Sequence, residues 1–167
     1  MSTATLLSMD QYLQTSYRPD REFIAGELRE RNVGQWEHAR VQFLLALWFG
    51  SHEQAWGTTG STEQRTLVSP GKIRIPDVVV MRKGPQPPVL LSPPLLVVEI
   101  LSPDDTYSDT QERAQDYLAM GVDMVWIIDP KSSTGKMISG DTWVGAETLS
   151  VPRTDITVHL PTLFEQV

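Results

Sequence analysis

Between Leu95 and Ile128 the chain reads as strand, helix, strand, and that order constrains the fold more than any other feature. Leu95 to Leu101 is an almost continuous apolar run, entered from Pro93-Pro94 and left at Ser102-Pro103, as in a strand buried on both faces. A helix is predicted from about Ser108 to Met120, ended by Gly121, a residue suited to the left-handed conformation at a helix C-terminus. Met124 to Ile128 is a second buried strand, stopped by Asp129-Pro130. A helix of this length between two buried strands is a crossover, so the strands are expected to be parallel neighbours. The fold class is therefore α/β, with a mixed β-sheet flanked by helices.

The other segments are read around that unit. Ser8-x-x-Gln11 is a capping-box pattern, so a short helix is predicted from about Met9 to Ser16. Glu22 to Arg31 reads as a hairpin turning at Ala25-Gly26. Gln35 to Phe49 is a helix with apolar residues all round it, which predicts packing from more than one side. Thr62 to Val68 and Ile73 to Met81 read as strands, and the five-proline stretch from Arg82 to Pro94 as a loop. The tail, Lys136 to Trp143, Glu147 to Val151 and Ile156 to Leu160, reads as short edge strands or irregular structure. The 167 residues are expected to form one domain, 1–167.

Several functions are excluded by composition. The sequence has no cysteine, which removes disulfides, thiolate metal sites and a cysteine nucleophile. Its longest apolar run, Phe43 to Phe49, is far short of the ~20 residues of a membrane helix. The first residues lack a basic signal-peptide start, and a cytoplasmic location is expected. The net charge of −7 is uneven: residues 1–83 carry 10 Lys/Arg and 9 acids, residues 84–167 carry 4 and 12. Such a field repels phosphate backbones. The plain reading of the acids from Asp104 to Asp116 is a solvated helix face.

Two acids stand where apolar packing is expected. Asp77 opens the run Pro76-Asp77-Val78-Val79-Val80, and Glu99 lies inside Leu96-Val97-Val98-Glu99-Ile100-Leu101. Burying an unpaired carboxylate costs several kcal/mol, so each needs a partner, a raised pKa or a cation. If the two strands pair antiparallel across the proline-rich loop, Asp77 and Glu99 meet at one edge of the sheet. Converging carboxylate oxygens suit Mg²⁺ or Mn²⁺, with water and a substrate phosphate completing the octahedron. Without a cation they repel, and at least one pKa is raised. Spacing alone leaves a structural alternative open, in which Asp77 caps a strand end and Glu99 pairs with an arginine.

Pro-Asp77, the strand ending Glu99-Ile100-Leu101-Ser102-Pro103, the following helix, and Gly121-Val122-Asp123-Met124-Val125-Trp126-Ile127-Ile128-Asp129-Pro130 together resemble the Uma-type endonucleases. These belong to the PD-(D/E)xK restriction-endonuclease-like superfamily, and the resemblance runs from about Met9 to Pro130 and extends to Leu163-Phe164, nearly the whole chain, with its specific part at residues 75–130. It implies a restriction-endonuclease-like core with an N-terminal helix and hairpin. It implies that Asp77 and Glu99 ligate Mg²⁺ or Mn²⁺, with the carbonyl of Ile100 as a third ligand. Leu101 stands where the superfamily Lys is expected. The family carries that Lys on the next helix, four residues before a Tyr, and here Arg113 holds that place. Arg stays charged, so Arg113 suits a phosphate stabiliser and not a general base. Glu22 and Glu27 match acidic positions of the family's hairpin, with Glu27 as a candidate outer or extra metal ligand. His38 matches a His at the start of its long helix.

The function these readings predict is Mg²⁺-dependent phosphodiester hydrolysis in DNA, with weak or non-specific binding and a homodimer as the working form. Arg18, Arg21, Arg29, Arg31, Arg40, Lys72, Arg74, Arg82 and Lys83 are the candidate DNA-facing cations, and Trp36 and Trp56 are candidates to stack on bases. Two rivals remain: a nuclease-fold binding or assembly module without turnover, and a metal-dependent phosphodiesterase for small molecules.

Overall fold

The computed structural model of the chain describes residues 6–32 and 34–167. Helix α1 spans Met9–Leu13 and opens with the expected capping box, in which Ser8 and Gln11 exchange side-chain and backbone hydrogen bonds. It stops before Ser16, and the Thr15 hydroxyl donates to the Gln11 carbonyl, a local bond of the kind that competes with helix. Strands β1 (Glu22–Ile24) and β2 (Glu27–Arg29) form the hairpin. Its turn residues Ala25 and Gly26 have φ of 50° and 88°, as a tight primed turn requires.

Helix α2 runs Trp36–Trp56, past the predicted end at Phe49. Gly50 sits in its interior at a propensity cost of about 1 kcal/mol, and the helix ends instead at Gly57, in the left-handed region. Its packing differs from expectation: Val41, Leu44, Leu45 and Phe49 are buried, whereas Phe43 and Leu47 are about 60% exposed (58% and 60%). One side is packed, not several.

The predicted strand at Thr62–Val68 is two strands, β3 (Thr58–Thr62) and β4 (Thr66–Ser69), in different sheets. The predicted strand at Ile73–Met81 is likewise divided, into β5 (Lys72–Arg74) and β6 (Val78–Arg82). Pro76 lies at the break, where a residue without N–H cannot continue a ladder. Strand β7 (Leu96–Ile100), helix α3 (Tyr107–Met120) and strand β8 (Met124–Asp129) form the crossover, with β7 and β8 parallel as predicted. The tail is more regular than expected: β9 (Thr134–Ser139) pairs with β8, then β10 (Thr142–Gly145), β11 (Thr148–Ser150), β12 (Thr157–His159) and α4 (Leu160–Phe164) follow.

The central sheet has six strands in the order β10-β9-β8-β7-β6-β3, and a four-stranded sheet has the order β2-β1-β5-β4. Strand alternation divides the core between the two faces of the central sheet. Val78, Val80, Leu96, Val98, Trp126 and Ile128 pack with α2, α4 and the β11–β12 pair. Val79, Val97, Val125 and Ile127 pack with Ala114 and Tyr117 of α3. Each such side chain contributes about 1.5–3 kcal/mol by burial, enough to hold the polar residues among them in place. Among the described residues no helix is long and apolar enough to cross a membrane.

Candidate functional site

The β6–β7 ladder pairs Val78 with Val98 and Val79 with Val97, both strands antiparallel. One further step along that register sets Asp77 opposite Glu99, each 3% exposed. Asp77 stands just before β6, where the ladder has ended, and its Oδ2 accepts the otherwise unpaired Ile100 N–H at 2.7 Å. Three further groups hold Asp77. Arg31 Nη2 donates to Oδ1 at 2.7 Å, His38 Nε2 lies 3.3 Å from Oδ2, and Gln42 Nε2 donates to the Asp77 carbonyl at 3.0 Å. His38 and Gln42 are one turn apart on α2, so one face of that helix grips this residue. Gly34 allows the preceding segment to cross closely, since a Cβ there would meet the His38 ring at 2.6 Å.

Glu99 turns to the α3 face. Tyr117 Oη donates to its Oε1 at 2.5 Å, and Arg113 Nη1 lies 3.8 Å from its Oε2. Arg113 and Tyr117 are four residues apart, hence on one helix face. Arg113 also approaches Asp105 at 3.4 Å, and Asp105 in turn accepts from the Ser102 N–H and from Asn32 Nδ2. Arg113 forms no ion pair with Asp109, which instead caps the start of α3 with Thr106. Both contacts of the structural alternative are thus present: Asp77 caps a strand end, and Glu99 faces an arginine.

The electrostatics of the two acids diverge. Burial pushes Asp77 up, but His38, Arg31 and the Ile100 N–H outweigh it and hold this carboxyl below its ordinary range. Glu99 is pushed up to about 8, by burial first and by Asp77 second, against the pull of Arg113 and Tyr117. The raised carboxyl of the pair is therefore Glu99. Burial and then Glu99 raise the Tyr117 hydroxyl well above its ordinary value, so it remains a donor. Burial opposes the charge of Arg113, and Glu99, Glu22 and Asp105 more than restore it.

Not every expected residue comes to this edge. Glu27 is exposed on β2 and forms no ion pair among the described residues. The hairpin acid that turns inward is Glu22, 3% exposed, which accepts from Arg74 at 2.8 Å and from the Ile75 N–H at 3.1 Å. The acidic stretch is only partly a solvated face: Asp116 and Glu112 bind Arg74, Asp116 also binds Lys72, and the Asp105 side chain is 3% exposed. Of the nine candidate DNA-facing cations, Arg21, Arg29, Arg31, Lys72 and Arg74 are engaged with acids, and Arg74 is buried. Trp36 is exposed, while Trp56 packs on Phe49 and stacks on His52.

Residues that the sequence did not single out for the site are Tyr117, Gln42 and Asp105, and Arg31 appeared there only as a surface cation. Arg31 reaches Asp77 across 46 positions, a distance that no local pattern reports. Tyr117 carried a readable signal, since a helix puts it beside Arg113.

The sequence profile of the Uma2 family, described as "putative restriction endonuclease", matches residues 9–163. The chain belongs to the Uma2 family. No curated protein matches this Uma2 chain. Among solved structures it is similar to a putative nuclease belonging to DUF820 from Anabaena variabilis ATCC 29413, with a TM-score of 0.82 at 20% identity. That likeness covers 96% of this chain and 98% of the other, and it shows the nuclease-type fold. A DrdV–DNA complex is matched at a TM-score of 0.42 and 18% identity over 74% of this chain and 10% of that one, too low for any argument. Family and fold together support a nuclease.

Proposed function

We propose that this Uma2 protein is a divalent-metal-dependent DNA endonuclease with a PD-(D/E)xK-type site at Asp77 and Glu99. The observation that carries the reading is the meeting of these two buried carboxylates at one end of the β6–β7 ladder, beside the cationic side chain of Arg113. Among the described residues no group of three His, Cys, Asp or Glu forms a ready metal cage. The donor set nevertheless fits Mg²⁺ or Mn²⁺, which bind through one or two carboxylates and complete the octahedron with water and phosphate oxygens. Asp77, Glu99 and the Ile100 carbonyl supply hard oxygen ligands. The raised pKa of Glu99 marks a place where a second negative charge lacks compensation, and a divalent cation supplies it.

When bound, the ion lowers the pKa of a water nucleophile and neutralises charge on the reacting phosphate. The chain's own residues do the rest. Tyr117 orients the Glu99 carboxylate, His38 and the Ile100 N–H orient Asp77, and Arg113 stabilises charge developing on the phosphate. A homodimer belongs to the same proposal: at a net charge of −7, two copies pair their limited cationic faces into one groove.

The test is Mg²⁺-dependent nicking of supercoiled DNA by the natural protein and by Asp77→Ala. Nicking that vanishes with EDTA and in the variant supports the reading. Metal binding or DNA binding without turnover favours a non-catalytic module, and hydrolysis of a chromogenic phosphodiester without DNA binding favours a small-molecule enzyme.

A further inference from the structure

Asp77 has two carboxylate oxygens, and different kinds of group hold them. Oδ2 is tied to the Ile100 main chain at 2.7 Å, and freeing it leaves a buried N–H unpaired. Oδ1 is held at 2.7 Å by Arg31, whose side chain is 17% exposed and which lies two residues past the end of β2. Of the two contacts, that of Arg31 yields at lower cost. Its neighbour Asn32 is fixed to Asp105 at 2.9 Å, so the guanidinium can turn while its backbone stays at the site. Glu63, 3.7 Å away, is the other acid that Arg31 contacts.

We propose that Arg31 and the divalent ion compete for Asp77 Oδ1, and that the guanidinium set free by the ion binds a non-bridging oxygen of the scissile phosphate. The inference rests on the metal-dependent nuclease reading and adds a second catalytic arginine to it. A phosphate held by an ion on Asp77 and Glu99 lies next to the ligand that Arg31 has just left. A guanidinium offers a planar fork that matches phosphate oxygens. Arg31 and Arg113 then reach the substrate from different sides, Arg31 from the chain that follows β2 and Arg113 from helix α3, and Asp77 keeps a cationic partner throughout, the divalent ion taking the place of the guanidinium.

The experiment titrates Mn²⁺ calorimetrically into the full-length wild type, Arg31→Met, Arg31→Lys and Asp77→Asn, and measures plasmid cleavage at saturating Mn²⁺. Arg31→Met is expected to bind Mn²⁺ about tenfold more tightly, because a competing cation is gone. Its kcat should fall at least about 100-fold with KM for DNA little changed. Arg31→Lys keeps a charge but loses the fork, and should hold Mn²⁺ affinity near wild type while cleaving about tenfold more slowly. Should Arg31→Met fail to fold, the Lys variant decides alone, and a wild-type cleavage rate in it overturns the proposal. Unchanged or weaker Mn²⁺ binding by a folded Arg31→Met also overturns it. If Asp77→Asn binds Mn²⁺ as well as wild type does, or wild type binds none, the metal-site reading itself fails and takes this inference with it. Loss of binding in Asp77→Asn with an indifferent Arg31 variant sinks only the role of Arg31.

Discussion

Tyr117 Oη donates a 2.5 Å hydrogen bond to Glu99 Oε1 inside a fully buried contact between α3 and β7. This bond joins a buried acid of the central sheet to the helix that also carries Arg113. Tyr117→Phe removes the donor and leaves the carboxyl partner in place. The expected loss is about 1–3 kcal/mol, the cost of a buried polar group left unsatisfied. Urea unfolding at neutral pH measures it, and the Glu99 pKa should rise further, since the tyrosine bond lowers it.

Glu99 gives a pH signature. Its folded pKa of about 8 lies above the ordinary 4.5, so protonated Glu99 suits the fold and ionised Glu99 does not. The stability it contributes is complete below about pH 4.5 and is lost as pH rises to about 8. Glu99→Gln fixes the neutral form. Its stability relative to wild type should therefore increase across that window, by about 2–4 kcal/mol at its upper end in EDTA. Denaturant melts at several pH values check it, and a constant offset contradicts it.

Asp77 behaves in the opposite sense. Two facing acids suggest by symmetry that neutralising either one relieves repulsion, but Arg31, His38 and the Ile100 N–H make the charged form of Asp77 the favoured one. The stability from its lowered pKa is present above about 3.8 and lost as pH falls through the folded value. Asp77→Asn should destabilise the protein at neutral pH by about 1–3 kcal/mol, because half-buried Arg31 keeps only the longer contact with Glu63, at 3.7 Å, and the charge-assisted bonds to Asp77 are lost.

How much of this was legible in the sequence depends on the range of the cause. The β7–α3–β8 crossover was readable because apolar runs, Gly121 and the flanking prolines act locally, and the place of Asp77 and Glu99 followed from strand pairing. The run Ile73–Met81 misled because its apolar character is continuous through Pro76, while the ladder is not. Gly50 misled in the opposite way: tertiary packing of Phe49 outweighs its weak propensity cost and carries α2 on to Trp56. Glu22 and Glu27 were indistinguishable by spacing, since only the burial of Arg74 decides which acid turns inward. The hold of Arg31 on Asp77 was out of reach for the same reason.

Arg74 supplies a prediction about the fold alone. It is 3% exposed and joins Glu22 of β1 to Glu112 and Asp116 of α3. Arg74→Met should cost about 3–5 kcal/mol, because Glu22 remains buried without its partner. Adding Glu22→Gln should recover part of that loss, and a double-mutant cycle in denaturant measures the coupling.

The central claim is that Asp77 and Glu99 share a divalent ion. Crystals soaked in Mn²⁺ test it most directly through the anomalous signal of the metal. The account predicts a single strong peak between the two carboxylates and the Ile100 carbonyl, at about 2.1–2.2 Å from each oxygen, with Arg31 drawn away from Asp77 Oδ1. No peak there at saturating Mn²⁺, with Arg31 still on Asp77 Oδ1, would contradict it and leave these residues a structural ion-pair cluster.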